Sequence, residues 1–239
     1  MRKPEEKDRA DVNQVQVIFE DNHLIIVNKV PGQIVQGDKT GDKSLLDLVK
    51  EYIKVKYKKP GAVYLGLVHR LDRPTSGIVV FAKTSKAASR LSEMFRNHEV
   101  KKTYWAITNN RPEDGKARLT HYLRKNEEKN KSVAKKKETR GYKEAILDYE
   151  LKQDSDNYRL VEVKLLTGRH HQIRCQLAAI GCPIKGDIKY GAKRTNRDGS
   201  ISLHSRSISF IHPVKKEPVS FTAPVMEDDL WKYFEKQLG

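Results

Sequence analysis

The stretch His69-Arg70-Leu71-Asp72-Arg73-Pro74-Thr75-Ser76-Gly77 is the part of this chain whose residue types most clearly suit chemistry. Asp72 lies between two arginines, and nearby cations favour the ionised carboxylate that a nucleophile must present. The same charge pattern fits a purely structural Arg–Asp–Arg ion cluster, and the residues alone leave both readings open. A hydrolase or lyase built on Asp72 and His69 would need a second carboxylate, and none stands at a sensible position. Pro74 fixes one backbone angle, and Thr75-Ser76-Gly77 supplies hydroxyl and glycine turn chemistry. A second group, Arg169, His170 and Arg174, gathers near the start of an expected helix, where the helix dipole favours anions such as phosphate. Tyr104, beside Trp105 in an expected strand, has a core or surface aromatic as its ordinary reading. Arg174, flanked by Ile173 and Leu177, reads by pattern as a solvated helix arginine. The eight histidines lack metal-ligand spacing, and His170 and His171 are expected to point different ways on a helix. No glycine-rich phosphate-binding string occurs.

The elements that must position these groups follow from periodicity. Strands are expected at Val15–Phe19 and His23–Asn28, split by a turn at Asp21-Asn22, with a loop over 31–38. Leu45, Leu48, Val49, Tyr52 and Ile53 recur with a period near 3.6, which predicts an amphipathic helix over Ser44–Tyr57 capped by Asp42 or Ser44. Apolar strands at Val63–Val68 and Ile78–Ala82 bracket the Asp72 segment, making it a loop on a rigid support. A helix is predicted at Ser85–Asn97 and a strand at Thr103–Thr108. The run 124–143, with nine Lys or Arg against three Glu, reads as a mobile basic hairpin or loop. Two strands should pair around Asp154–Asn157, the second alternating with Val161, Val163 and Leu165 inward. A helix over Arg169–Ile180 should stop at Gly181, a strand should run from Ile201 to Phe210, and a short helix should close the chain near 228–237. Strands that follow one another in hairpins imply an α+β fold, a mixed and mainly antiparallel sheet with flanking helices. Residues 1–14 read as a polar tail and 15–239 as a single catalytic domain.

Composition narrows the partner. With 47 Lys and Arg against 31 Asp and Glu in 239 residues, the formal charge is +16, a surface that attracts polyanions. Nucleic acid is the default partner and an anionic membrane surface the competitor. No apolar run approaches the roughly 18 residues of a membrane span, and residues 1–13 are charged from the start, unlike a secretory signal. Cys175 and Cys182 are expected to be two reduced, partly buried thiols. A cytoplasmic protein is expected, monomeric because the chain is long enough to build its own core.

The string HRLDRPTSG, followed by Ile78–Lys83, resembles the signature of the RluA-type family of RNA pseudouridine synthases. Lys102-Thr103-Tyr104-Trp105-Ala106 is similar to the family's Lys-x-Tyr-x-Ala strand, and Thr167-Gly168-Arg169-His170-His171-Gln172-Ile173-Arg174 to its Thr-Gly-Arg-Thr-His-Gln-Ile-Arg segment. Softer likeness comes from Pro183–Asp187 with Tyr190-Gly191, and from Leu203-His204. At three places the chain departs: Val30 in Lys29-Val30-Pro31-Gly32, His170 where the family has Thr, and Ser205 where it commonly has Ala. The resemblance covers about residues 16–225 and implies the pseudouridine synthase catalytic fold without an accessory N-terminal RNA-binding domain. It implies isomerisation of particular uridines in structured ribosomal or transfer RNA, with neither metal nor organic cofactor. The target base must leave its stack, at a cost of a few kcal/mol. The resemblance makes Asp72 the nucleophile, attacking the uracil ring or the ribose anomeric carbon, and puts Arg70 in the hole left by the flipped base. It has Tyr104 stack on the uracil and accept the carbon 5 proton, Arg174 pair with Asp72, and Leu203 form an apolar floor. It further counts His69, Arg73, Thr75, Gly77, Lys102, Arg169 and Gln172 among the substrate-binding residues. The basic run 124–143 is either a solvated face or a clamp on the RNA backbone.

Overall fold

Apolar runs without polar interruption become buried central strands, and two of them frame the Asp72 segment. The computed structural model describes residues 15–38 and 40–238, so the expected 1–14 tail lies outside the described residues. The chain divides into two compact units, one taking in the chain up to Val100 together with Ile208–Pro224, the other Lys101–Ser207 with the chain from Val225 onward. Secondary structure is mixed, with mostly antiparallel strands and four α-helices among the described residues, as the sequence pattern implies.

In the first unit, β1 (Gln16–Glu20), β2 (Leu24–Lys29) and β4 (Ser76–Ala82) lie side by side in that order, both pairings antiparallel. Every residue of β2 and β4 is buried. The β2–β4 register brings Lys29 opposite Gly77, at the mouth of the Asp72 segment. The strand expected over Val63–Val68 shrinks to β3, Gly66–Leu67, paired with the end of β4. Helix α1 (Leu45–Lys56) starts at Ser44, whose side chain accepts from Asp47 N; of the two caps foreseen, the serine serves. Helix α2 (Ser85–Arg96) is capped by Thr84 in the same way. Leu24, Ile26, Ile78, Val80 and Leu91 form the unit's core with Ile208, Phe210 and Ala223.

The second unit carries β5 (Lys101–Thr108), β6 (Lys116–Asn126), β7 (Lys131–Lys135), β8 (Lys143–Asp154) and β9 (Arg159–Leu165), ordered β5-β9-β8-β6-β7. The basic run resolves into a hairpin, with Asn126 opposite Lys131. Along β9, Val161 and Val163 are buried while Glu162 and Lys164 are not, as the alternation implies, and Leu160 before them is buried as well. Helix α3 covers Gln172–Ala179, three residues shorter at its start than the pattern implied, because His171 takes the left-handed conformation (φ 51°) at its N-cap. Gly181 follows it with φ +77°. A 3-10 turn spans Ile188–Tyr190. Strand β10 (Leu203–Ile211) passes from the second unit into the first, and β11 (Pro218–Thr222), unforeseen in the sequence, follows it. Helix α4 (Asp229–Leu238) buries Trp231 and Phe234 with Trp105, Ile107, Leu160 and Val225. No helix among the described residues is long and apolar enough to cross a membrane.

Candidate active site

Asp72 is half-buried in a tight turn closed by Thr75 N donating to Asp72 O at 3.0 Å. Gly32 N donates to Arg73 O at 2.9 Å, which ties the 31–38 loop to the same turn. Beneath lies Lys29, wholly buried at the end of β2. Its Nζ donates to Thr75 O at 2.6 Å and to Arg73 O and Val30 O at 3.0 Å each. Burial pushes this amine down to about 7, against the opposing pull of the Asp72 carboxylate; the Arg73 cation adds to the lowering. Three carbonyls in a dry site thus converge on one ammonium, and the turn is organised around it. Residue order alone gives Lys29 no role, although a lysine that closes a strand opening on four apolar residues is itself a signal, since buried lysines need partners.

The remaining first-unit residues divide by exposure. Arg70 is exposed, with a 3.5 Å contact from Nη1 to Gln36 Oε1. Arg73 is exposed and pairs with Asp42 at 2.7 Å. His69 Nε2 accepts from Val80 N at 2.9 Å, which fixes the proton of the neutral ring on Nδ1, and its ring stacks on Phe95 with centroids 4.8 Å apart. Those contacts support the loop. Thr75 Oγ1 is buried without a hydrogen-bond partner among the described residues, and Gly77 adopts φ 107°, which a side chain would oppose.

In the second unit, Tyr104 is buried on β5 opposite Val163, and Lys102, on the same face two residues earlier, is half-buried with its amine lowered by burial. A side chain at Gly168 would stand 3.9 Å from Lys102 Nζ. Arg174 departs from the solvated arginine of its pattern. It is 5% exposed, and its Nε and Nη2 form a fork on Asp187 at 2.6 and 2.9 Å, Asp187 itself being 1% exposed. The guanidinium carbon lies 5.1 Å from the Tyr190 ring centre. Asp187 and Tyr190 carried part of the family likeness but had no role assigned; their contacts with Arg174 supply one. Gln172 is buried: its Oε1 accepts from Thr167 Oγ1 at 2.8 Å and Arg169 N at 2.9 Å, and its Nε2 donates to Ile146 O at 3.0 Å. These bonds shape the Thr167–Arg169 turn. Arg169 is exposed and donates from Nε to Glu144 O at 2.8 Å. Leu203 is buried at the start of β10.

His170 and His171 do not diverge along a helix as expected. Both precede α3, and their rings stack with centroids 3.8 Å apart. Burial, followed by the Arg174 charge, pushes the His171 imidazole down to about 2, so it is neutral. No group of three or more His, Cys, Asp or Glu that could hold a metal occurs among the described residues. Cys175 and Cys182 are free and buried, and burial pushes the Cys175 thiol up to about 11.

A buried lysine under an arginine-flanked aspartate, and a forked arginine in the first turn of a helix, sit within the part of the chain that known proteins share. Residues 23–179 match the RNA pseudouridylate synthase family. The ribosomal large subunit pseudouridine synthase C of Buchnera aphidicola is 32% identical over 217 residues, which is 87% of this chain and 66% of that protein. The tRNA pseudouridine synthase C of Haemophilus influenzae is 32% identical over 246 residues, 94% of this chain and 98% of its own length. Among solved structures, human RNA pseudouridylate synthase domain containing 4 superposes with a TM-score of 0.77 at 23% identity, over 97% of this chain and 95% of that one, and shares its fold. The chain belongs to the RNA pseudouridine synthase family, whose members are isomerases.

Proposed function

We propose that this protein converts particular uridines of ribosomal or transfer RNA to pseudouridine in the cytoplasm, with Asp72 as nucleophile after the base is flipped out. Asp72 bonds transiently to the uracil ring or to ribose carbon 1′; the bond from carbon 1′ to uracil nitrogen 1 breaks, the ring turns, carbon 1′ joins carbon 5, and the bond to Asp72 breaks again to restore the carboxylate. Carbon 5 loses a proton and nitrogen 1 gains one, so atoms and electrons balance without a redox partner. The observation that carries this reading is the Asp72 turn, anchored through two of its backbone carbonyls to the buried Lys29 ammonium. A carboxylate meant to attack one atom needs that rigidity, because a misplacement of about 1 Å can cost roughly a hundredfold in rate.

Arg70, long and exposed, suits insertion where the flipped base was. Tyr104 offers a ring to stack on uracil and an oxygen for the carbon 5 proton, and the family likeness gives Arg174 the part of the cation that aims Asp72. The cations of the 124–143 hairpin favour contact with RNA phosphates, an affinity that weakens with salt and carries no sequence choice. The relatives named for ribosomal and for transfer RNA support both substrate classes equally.

The test is Asp72→Asn, an isosteric change without a nucleophilic carboxylate. Mass spectrometry of rRNA and tRNA transcripts incubated with the variant should detect no pseudouridine, while filter binding gives an RNA affinity within a few-fold of wild type. Wild-type turnover in the variant would refute the assignment.

A further inference from the structure

We propose that Ser132 and His170 form a latch that holds the basic hairpin in place for RNA. The latch rests on the RNA-modifying reading above and adds a positioning element to it. Ser132 lies on β7, the last strand in its unit's order, so the ladder of β7 runs to β6. The strand carries Lys131 and Lys135 and leads into Lys136 and Lys137, yet Ser132 among them is only 2% exposed.

Its hydroxyl makes two bonds to one residue. Ser132 Oγ donates to His170 O at 2.6 Å and lies 3.0 Å from His170 Nδ1. Since the single hydroxyl proton goes to the carbonyl, Nδ1 must be the donor in the second bond. The Ser132 backbone extends the junction: its N–H donates to Tyr190 Oη at 2.7 Å, and its carbonyl accepts from Cys175 Sγ at 3.3 Å. Tyr190, its phenol pushed up to about 12 mainly by burial, keeps its proton and gives it to His171 Nδ1 across 2.9 Å.

The hairpin is therefore joined by a buried polar hub to the turn before α3. One of these bonds goes to the backbone carbonyl of His170 and the other to its imidazole, so the side chain at 170 completes the hub. Around the hub the cations are already ordered: Lys131 Nζ stands 5.0 Å from the Tyr190 ring centre, and Arg124 and Lys135 lie 5.0 and 4.9 Å from that of Tyr142. An edge hairpin fixed in this way presents its charges as a rigid set. Without the latch, ordering those charges on RNA carries an entropic cost, and cations whose contact no longer repays it drop out of the complex, which lowers the count of phosphates held.

The experiment measures RNA affinity by filter binding, with unmodified tRNA transcripts and a large-subunit rRNA fragment, between 50 and 200 mM KCl, alongside kcat at saturating RNA. For Ser132→Ala we expect Kd to rise about tenfold at the middle of that range and kcat to stay within twofold. The slope of log Kd against log salt should flatten by about two, the loss of roughly two or three phosphate contacts. Ser132→Thr keeps the hydroxyl and His170→Asn keeps a donor near the Nδ1 position, and both should bind within twofold of wild type. Replacing Lys135, Lys136 and Lys137 by alanine should flatten the slope similarly, and adding Ser132→Ala to that variant should change little more. A wild-type slope in Ser132→Ala overturns the latch, as does a fall in kcat with slope unchanged or a wild-type slope in the triple alanine variant. Because binding is read without turnover, these results stand apart from a failure of the wild-type protein to make pseudouridine, which would refute the catalytic reading instead.

Discussion

Replacing Lys29 by methionine removes the ammonium on which the Asp72 turn is built while keeping a side chain of similar length. The three carbonyls it serves, of Val30, Arg73 and Thr75, lose their donor. Each buried acceptor left unpaired costs about 1–3 kcal/mol. Against that stands the relief of a buried charge: an amine lowered from 10.5 to about 7 carries a folding penalty of about 5 kcal/mol at acid pH. At pH 7 the two effects largely cancel, so the variant folds. The pH dependence separates them. The unfolded lysine holds its proton up to about 10.5, whereas the folded one releases it near 7. Between those values the unfolded state binds more protons, so raising the pH stabilises the wild type, and the penalty is fully present below about 7. Urea unfolding of both proteins at pH 7 and 9.5 should show the wild-type advantage growing by about 3 kcal/mol, as one proton of difference requires. Turnover of the variant should fall about a hundredfold throughout, because the carbonyls that place Asp72 have lost their anchor. An advantage that stays flat with pH would refute the account of Lys29 as a destabilised buried charge, and a variant with wild-type turnover would refute its role in placing Asp72.

Asp187→Asn leaves Arg174 buried with half of its fork unmatched, and urea unfolding should show a loss of about 3–5 kcal/mol; a change under 1 kcal/mol would contradict the buried pair. His171, at 6.5 when unfolded and about 2 when folded, contributes stability above pH 6.5 that is lost as pH falls toward 2. His171→Asn should therefore lose less stability than wild type between pH 7.5 and 5, and equal losses would argue against a neutral His171. Arg70→Ala should slow modification of duplex-embedded uridines more than of flexible ones, measured on paired transcripts; equal slowing would count against base displacement.

Much of the fold was legible because the strands that matter are uniform. The wholly apolar runs of β2 and β4 and the capped helices α1 and α2 announce themselves in residue order. Tyr104 is singled out by motif likeness alone, and Asp72 by that likeness together with its two flanking arginines. What stayed hidden was tertiary in origin. Nothing local to Lys29 names its three carbonyl partners, two of which lie more than forty residues away. The backbone groups that Gln172 and His69 satisfy, of Ile146, Arg169 and Val80, are likewise not named by any local pattern. The start of α3 moved because His171 enters the left-handed region, which the sequence pattern does not encode for a histidine. Arg174 resembled a surface residue because the carboxylate that buries it, Asp187, arrives from a later turn.

Cys175 is sealed on α3 with its sulfur against the Ser132 carbonyl, and its thiol stays protonated far above neutral pH. A thiol-reactive dye should therefore ignore it in the closed molecule and label it only during moments when the hairpin lifts away. In a Cys182→Ala background, which leaves Cys175 as the single cysteine, the chain carries a built-in stopwatch, and the labelling half-time in the presence and absence of RNA would clock how often that grip lets go.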